Sequence, residues 1–300
     1  MRKTLKKHFK IIAIIIFVFA SIAAIVGIHE RIAYYDSITD PVNIPLKDVA
    51  TVYNDLPYCS TDNKYQTLDL LTPKDPAFEK SPIVIYIHGG GWDEGDKDNS
   101  ITNEYASQIA SLGLAAASVD YRLSTEATYP AQNNDVACAV NFLVAQANTY
   151  ALNASKIIII GDSAGGQLAA MEAITGNHEF LGVIMAYGVS DLNRQITQKN
   201  DVNAVKYLGS KATEIAESDS PAFAKSFPDT SFLLIHGTAD SIVPEQESKD
   251  FAKILEKNGV SVEYVAIPNA SHAFLGTGDA SDEIARKAMF VFIANLLNGT

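Results

Sequence analysis

Between positions 65 and 297, the pattern of apolar and polar residues alternates between two kinds of segment. Short apolar runs are typical of buried strands, and longer segments with apolar residues three or four positions apart predict helices. The predicted strands are residues 65–71, 83–88, 114–119, 157–160, 181–186, 231–236 and 261–267. The predicted helices are residues 104–112, 132–147, one beginning at Ala164, 245–257 and 282–297. This alternation indicates an α/β fold in which a mostly parallel central sheet carries helices on both faces.

The N-terminal segment has a different pattern. Residues 11–28 are an uncharged apolar stretch in which Ser21 is the one polar side chain. At about 1.5 Å per residue, a helix of this length nearly spans the core of a bilayer. A cluster of Lys and Arg within the first ten residues favours a cytoplasmic N-terminus. We therefore expect an N-terminal transmembrane helix with the rest of the chain outside the cytoplasm; a secretory signal cleaved near residues 21–23 is the alternative.

These patterns divide the chain into three parts. Residues 1–28 are the predicted basic tail and membrane anchor or signal peptide, and residues 29–50, which include Pro41 and Pro45, are a predicted linker. Residues 51–300 are expected to form one α/β domain. The whole chain has 300 residues and 47% hydrophobic content, which suffices for one large core. The sequence leaves the oligomeric state open.

Charge and cysteine content exclude some kinds of function. The formal net charge is −12 even though the first ten residues are strongly basic, so the rest of the chain would repel nucleic acid. No cluster of Cys and His has the spacing of a zinc site, and we expect no metal. Cys59 and Cys138 are permitted to pair outside the cytoplasm. Since Cys138 lies on the apolar face of a predicted helix, a small buried thiol is the favoured interpretation.

One serine follows directly on a strongly apolar predicted strand. The motif GDSAGG at residues 161–166 comes after four consecutive isoleucines, which places Ser163 at a strand-to-helix corner. Small flanking residues allow the sharp turn of a nucleophile elbow, so Ser163 is the candidate nucleophile. The alternative role for Ser163 is to cap the following helix, but we expect Asp162 to provide that cap.

Two further candidates for catalysis also follow predicted strands. Because the carboxyl ends of parallel strands meet at one edge of a sheet, we expect Asp240 and His272 to converge on Ser163. A serine hydroxyl needs a base to become nucleophilic, and His272 is the candidate base, with Asp240 holding its ring. His236 ends its own predicted strand and is interpreted as a structural histidine, whereas His178 is expected to be solvated.

A glycine loop supplies the remaining part of the predicted site. The sequence HGGGW at residues 88–92 follows the predicted strand 83–88. Glycines let backbone N–H groups approach an oxyanion closely, and we expect the oxyanion hole to consist of the N–H groups of Gly90, Gly91 and Ala164. We expect His88 to brace this loop and assign it no proton transfer.

Together these motifs resemble a known superfamily. HGGGW at residues 88–92, VDYRL at 119–123, GDSAGG at 161–166, HGTAD at 236–240 and SHAF at 271–274 resemble the α/β-hydrolases. The resemblance is closest to carboxylesterases of the hormone-sensitive-lipase type and to the bacterial feruloyl and acetylxylan esterase-like group. It covers roughly residues 50–298 and implies a serine hydrolase that cleaves ester bonds without a cofactor. It also implies that Asp120, Arg122 and Asp135 are structural ion-pair residues.

The expected function is therefore that of a serine carboxylesterase. Little sequence precedes the first predicted strands, which leaves no room for a large N-terminal helical cap, so we expect an open cleft that accepts short acyl or carbohydrate-linked esters. Residues 187–230 are expected to form a small partial lid, with Tyr187, Tyr207 and Phe223 near the entrance. Aromatic residues in such a segment more often belong to the local core, and we assign none of them to the pocket. A peptidase or amidase of the same fold and a catalytically silent binding module remain the alternatives.

Overall fold

The computed structural model describes residues 50–59 and 63–298. The predicted membrane anchor at residues 11–28 and nearly all of the predicted linker lie outside these residues. Within the two described ranges, no helix combines the length and the apolar character needed to cross a bilayer. Ala50, the last residue of the predicted linker, is already the first residue of a strand.

Eight strands of the described chain form one sheet. Their bounds are β1 (Ala50–Pro57), β2 (Thr67–Pro73), β3 (Ser81–Ile87), β4 (Ala115–Val119), β5 (Leu152–Asp162), β6 (Gly182–Ala186), β7 (Ser231–Gly237) and β8 (Val262–Ile267). Their order across the sheet is β1-β2-β4-β3-β5-β6-β7-β8. β2 is antiparallel to β1 and β4, whereas all neighbours from β4 to β8 are parallel. The mostly parallel sheet of the predicted α/β-hydrolase fold is thereby confirmed.

Helices cover both faces of this sheet. They are α1 (Ser100–Ser111), α2 (Ala131–Ala145), α3 (Ser163–Thr175), α4 (Leu192–Gln198), α5 (Val202–Leu208), α6 (Ala212–Ile215), α7 (Gln246–Lys257) and α8 (Ala280–Asn298). Val84 of β3 lies with residues of α1 and α8 around a small internal cavity. Its neighbours Ile83 and Ile85 belong to a core that includes residues of α2, α3 and α7. Since successive residues of a strand point to opposite faces, these two groups of helices lie on opposite sides.

The burial of the strands explains why most were predictable. Every residue of β3, β4 and β6 is buried, as expected for central parallel strands covered on both faces. Burying one isoleucine or valine side chain stabilises the fold by about 1.5–3 kcal/mol, so continuous apolar runs mark these positions in the sequence. β1 was not predicted. It is an edge strand with mostly exposed side chains and carries no continuous apolar run.

The segment between β6 and β7, residues 187–230, forms an irregular helical insertion. It contains α4, α5 and α6 together with short 3₁₀ turns at Gly209–Lys211, Glu217–Asp219 and Pro221–Phe223. Tyr187 and Tyr207 do not lie at the entrance, because both side chains are fully buried and belong to the local core, the alternative interpretation. Tyr187 packs edge-on against Phe274, and Tyr207 stacks on Trp92. Phe223 is 42% exposed. Aromatic rings of this size gain more from joining the core than from facing the solvent.

The two cysteines form a disulfide, which corrects the prediction of a buried thiol at Cys138. Cys59 follows β1 and Cys138 lies in α2, with their Cα atoms 6.0 Å apart. The bridge connects positions 79 residues apart in sequence and ties the edge of the sheet to a helix. The apolar face around Cys138 indicated burial, and the side chain is indeed partly buried. The local pattern does not show that the end of β1 packs against this helix, because that contact depends on the tertiary fold.

Candidate active site

Ser163 lies at an abrupt corner between β5 and α3. The strand ends at Asp162 and the helix begins at Ser163, so no loop residue separates them. Ser163 has a φ of +49°, a left-handed conformation that is uncommon for a residue with a side chain. The corner requires glycine on both sides. A Cβ atom on Gly161 would lie 2.2 Å from the carbonyl oxygen of Gly165, and one on Gly165 would lie 2.2 Å from the carbonyl oxygen of Ile87.

The structure brings the three predicted catalytic side chains together in hydrogen-bonding order. His272 Nε2 lies 3.0 Å from Ser163 Oγ, and His272 Nδ1 lies 2.6 Å from Asp240 Oδ2. Ser163 follows β5, Asp240 follows β7 and His272 follows β8, as the strand-end rule predicted. With Nδ1–H donating to the carboxylate, Nε2 is left as the acceptor for the serine hydroxyl. This arrangement can transfer a proton from Ser163 to His272.

Asp240 is held in place by more groups than the sequence indicated. Its Oδ1 accepts hydrogen bonds from the backbone N–H groups of Ile242 at 2.9 Å and Val243 at 3.0 Å. Its Oδ2 lies 3.3 Å from His236 Nε2, in addition to its bond with His272. Burial alone would raise the pKa of the Asp240 carboxyl, but the hydrogen bonds from His236 and His272 hold that pKa well below its usual range. Asp240 is therefore a carboxylate at neutral pH.

His236 is a structural histidine, as predicted, with a further contact to Asp240. Its ring is fully buried, and its Nδ1 lies 2.7 Å from the Ser248 hydroxyl. Its Nε2 lies 2.9 Å from the carbonyl oxygen of Val243 and also faces Asp240. Since a carbonyl only accepts, Nε2 carries the proton, and Ser248 donates to Nδ1. The spacing of four residues between His236 and Asp240 was the available sequence signal for this contact.

The glycine loop takes backbone conformations that glycine favours. Gly90 has a φ of +111° and Gly91 a φ of +58°, and both residues line the cleft beside Ser163. A Cβ atom on Gly90 would lie 2.1 Å from the carbonyl oxygen of Glu94, and one on Gly91 would lie 2.8 Å from Asn203 Nδ2. Ala164, the third predicted donor, lies in the first turn of α3, where backbone N–H groups have no partner within the helix. The three predicted donors thus lie around Ser163, the candidate nucleophile.

Asp162 has a role that differs from the predicted helix cap. Its side chain makes no capping hydrogen bond to α3. Instead, Oδ1 accepts the backbone N–H of Gly89 at 2.8 Å and the hydroxyl of Tyr86 at 2.5 Å. Burial raises the pKa of this carboxyl. The residue before Ser163 thereby anchors the start of the glycine loop, a contact between positions 73 residues apart that a local capping rule does not anticipate.

His88 braces the loop as predicted. Its Nδ1 donates to the carbonyl oxygen of Gly89 at 2.7 Å, its ring stacks on Tyr121, and the Tyr121 hydroxyl donates to the His88 carbonyl at 2.9 Å. Burial lowers the pKa of His88 to about 4, so the ring is neutral at neutral pH. These contacts fix the backbone immediately before Gly90.

The predicted structural ion pairs form in part. Arg122 donates from Nε and Nη2 to the two oxygens of Asp135 at 2.8 Å and 2.7 Å, a bidentate pair in which Asp135 is buried. Asp120 makes a different contact, because its Oδ1 accepts the backbone N–H of Lys97 at 2.7 Å. Burial raises the pKa of Asp120 to about 7. Asp120 and Arg122 lie on the same loop, but Asp120 is bound to the backbone ahead of α1.

The cleft above Ser163 has a volume of about 580 Å³ and mixed walls. The glycine loop, Ser163, His272 and the apolar side chains of Val189, Ile242 and Val243 form part of its lining. Polar side chains form much of the rest, and they are Glu94, Gln195, Lys199, Asp201, Asn203 and Ser241. Lys199 Nζ donates to the carbonyl oxygen of Ser241 at 2.6 Å and so joins the insertion to the turn after β7. In the part of the chain that the structure describes, no three His, Cys, Asp or Glu side chains are grouped to hold a metal ion.

Comparisons with known proteins agree with this architecture. A solved structure described as a truncated form of a carbohydrate esterase from gut microbiota superposes with a TM-score of 0.72 at 23% identity, covering 83% of this chain and 97% of that one. The ethyl acetate hydrolase of Pseudomonas putida is 26% identical, over 76% of this chain and 80% of the hydrolase. Esterase LipC of Mycobacterium tuberculosis is 26% identical over 71% of this chain, but the chain spans only 58% of LipC. The BD-FAE family model matches residues 68–255, well over half of the chain, which therefore belongs to the BD-FAE family.

Proposed function

We propose that this protein is a serine carboxylesterase. The observation that carries the proposal is the unbroken path from Ser163 Oγ to His272 Nε2 at 3.0 Å and from His272 Nδ1 to Asp240 Oδ2 at 2.6 Å. A hydroxyl, a neutral imidazole and a carboxylate in this order make serine a nucleophile toward acyl carbons. Relatives named as esterases and as an ethyl acetate hydrolase support the same class of reaction.

The reaction proceeds in two halves. Ser163 Oγ attacks the ester carbonyl carbon while its proton passes to His272 Nε2, and Asp240 stabilises the resulting imidazolium. The carbonyl oxygen becomes an oxyanion that accepts hydrogen bonds from the N–H groups of Gly90, Gly91 and Ala164. The loss of one such donor typically raises the barrier by about 3 kcal/mol. The alcohol then leaves with the proton from His272. Water, activated by the same imidazole, cleaves the acyl-enzyme and releases the acid.

The walls of the cleft support short acyl or carbohydrate-linked esters as substrates. The polar side chains of Gln195, Asp201 and Asn203 line the cleft next to the glycine loop and the nucleophile. Hydroxyl-rich alcohols form hydrogen bonds with such groups, whereas a long acyl chain requires a continuous apolar channel. The name of the Pseudomonas putida relative, an ethyl acetate hydrolase, agrees with a short acyl group.

We also propose that the catalytic domain is extracytoplasmic and anchored by residues 11–28, or secreted after cleavage of this segment. The basic residues before this apolar stretch support the orientation, and the Cys59–Cys138 disulfide suits an oxidising compartment. Protease added to intact cells that express the full chain would degrade an exposed anchored domain. Protection of the domain, with none released into the medium, would contradict this location.

Replacement of the nucleophile tests the proposed reaction. We expect Ser163→Ala to lower kcat on p-nitrophenyl acetate by at least about a thousandfold while the thermal unfolding temperature stays close to that of the wild type. The matched control is Ser261→Ala, which removes an exposed hydroxyl just before β8. A fluorophosphonate probe should label the wild type and the control but not Ser163→Ala.

Other results would contradict the proposal or favour an alternative function. Full turnover by pure, folded Ser163→Ala protein would refute the nucleophile assignment. A wild type that neither reacts with the probe nor hydrolyses esters would instead indicate a silent binding module. Rates on matched acetyl esters and acetyl amides of the same aromatic leaving group separate an esterase from an amidase.

A further inference from the structure

A closed ring of three polar side chains, of which two are fully buried and Asn133 is partly buried, lies next to the glycine loop. Tyr207 Oη lies 2.5 Å from Asp219 Oδ2 and 2.7 Å from Asn133 Oδ1, and Asn133 Nδ2 lies 2.8 Å from Asp219 Oδ1. Asp219 and Tyr207 are fully buried. Asn133 belongs to α2, whereas the other two residues belong to the insertion at residues 187–230. The ring therefore fastens the insertion to the body of the domain.

If Asp219 is ionised, the ring has one proton too few to form all three of its hydrogen bonds. Tyr207 has one hydroxyl proton, but two acceptor oxygens lie within hydrogen-bond distance of it. If Asp219 is protonated, its O–H donates to Tyr207, Tyr207 donates to Asn133, and the Asn133 amide donates back to Asp219. The opposite orientation of the Asn133 amide would set its oxygen against Asp219 Oδ1 and needs the same extra proton. Burial raises the pKa of Asp219 to about 7, in agreement with this count.

The neighbours of Asp219 provide no compensating positive charge. Asn133 of α2, Gln167 of α3 and Tyr207 of α5 form hydrogen bonds with its carboxyl, and Tyr129 faces it from the loop before α2. None of these described neighbours is a cation. A buried carboxyl without a cationic partner is more stable in its neutral form, because burial penalises the charge.

Two contacts connect this ring to the oxyanion loop. Gln167 Nε2 donates to the backbone oxygen of Asp219 at 2.7 Å and to its Oδ2 at 3.0 Å, while Gln167 Oε1 accepts the Trp92 indole N–H at 3.0 Å. The Trp92 ring also stacks on Tyr207, with centroids 4.7 Å apart and planes 9° from parallel. Trp92 directly follows Gly91 and has a φ of +57°. Its position therefore controls the end of the loop that carries the predicted oxyanion donors.

We propose that Asp219 is a positioning residue for the oxyanion loop and that it acts in its neutral, protonated form. The inference rests on the proposed esterase reaction. Ionisation of Asp219 would set two acceptors against each other and loosen Tyr207 against Trp92, and the N–H groups of Gly90 and Gly91 would then move. Because these donors act mainly on the oxyanion of the transition state, the loss falls on kcat rather than on KM.

The alkaline part of the pH profile tests the proposal. We expect the kcat of the wild type on p-nitrophenyl acetate, after subtraction of spontaneous hydrolysis, to decline as the pH rises through about 7, where Asp219 loses its proton. Asp219→Asn cannot ionise and keeps a donor at this position, so its kcat, although lower, should lack that decline. Asp219→Leu should lower kcat roughly a hundredfold at a similar KM, as expected for a displacement of about 1 Å.

Glu217→Gln is the matched control, because it neutralises an exposed carboxylate of the same 3₁₀ turn. It should follow the wild-type profile. Infrared difference spectra between wild type and Asp219→Asn, recorded below pH 7, should contain the C=O band of one neutral carboxylic acid. Superimposable alkaline profiles of wild type and Asp219→Asn, or no such band, would overturn the inference. If the wild type has no esterase activity, the proposed function fails instead, and the infrared band still decides whether Asp219 is neutral.

Discussion

Replacing Gly90 with alanine tests whether the position of the oxyanion loop controls the rate. A control at another glycine measures the general effect of adding a side chain. Gly90 has a φ of +111°, and a Cβ atom there would lie 2.1 Å from the carbonyl oxygen of Glu94. The left-handed conformation costs alanine roughly 1–2 kcal/mol. The clash is with backbone, which has no flexible end to move aside, so the loop itself must shift by more than 1 Å to bring this contact from 2.1 Å to the ordinary range, which begins at 3.4 Å.

The shift determines the expected loss of activity. A displacement of about 1 Å at catalytic groups costs on the order of a hundredfold in rate, equivalent to about 2.7 kcal/mol in the barrier. We therefore expect Gly90→Ala to lower kcat on p-nitrophenyl acetate about a hundredfold with a smaller change in KM. The reason is that the N–H groups of Gly90 and Gly91 contribute most when the oxyanion forms.

Gly259→Ala is the matched control for this experiment. Gly259 also has a positive φ, +76°, but a Cβ atom there would have no neighbour within 4 Å. Both variants should unfold at a lower temperature than the wild type, and only Gly90→Ala should lose kcat. If Gly90→Ala retained a kcat within about twofold of Gly259→Ala, the steric reasoning would be refuted, since ΔΔG‡ would then be well below 1 kcal/mol.

Two further predictions concern stability. Cys138→Ser removes a bridge between positions 79 residues apart and should lower the free energy of unfolding by about 2–4 kcal/mol in urea titrations. Cys59→Ser should give the same loss. Unequal losses in the two variants would count against a shared bridge. Burial lowers the pKa of His88 to about 4, whereas an unfolded histidine titrates near 6.5, so the unfolded chain binds the extra proton between these values. The contribution of neutral His88 to the free energy of unfolding should be complete above about pH 6.5 and should fall by roughly 3 kcal/mol as the pH decreases to 4. A His88→Gln variant whose stability has the same pH dependence as that of the wild type would contradict this account.

The sequence was most informative where burial is extreme or where a residue follows a strand directly. Central strands such as β3 are continuous apolar runs, and the rule that parallel strands end at one edge was enough to bring Asp240 and His272 to Ser163. The glycine motifs were readable for the same reason, because a close backbone approach excludes every larger residue.

Other features depend on long-range packing that a local pattern does not encode. The disulfide requires β1 to return to α2, and the contact of Asp162 with Gly89 joins residues 73 positions apart. The sequence left open whether Tyr207 lies at the entrance or in the local core. The Tyr207 ring is buried because it stacks on the ring of Trp92, and this contact exists only in the folded chain.

The helical insertion between β6 and β7 has a consequence for how such proteins diversify. The reacting groups stand at the ends of strands, whereas Gln195, Lys199, Asp201 and Asn203 on the wall of the cleft all come from one uninterrupted stretch of the chain. In the proposed esterase, the reacting groups and the polar wall are thus encoded in separable parts of the gene, and recombination can exchange the second without altering the first. Such an exchange requires that the incoming segment again supply an aromatic ring that stacks on Trp92, as Tyr207 does.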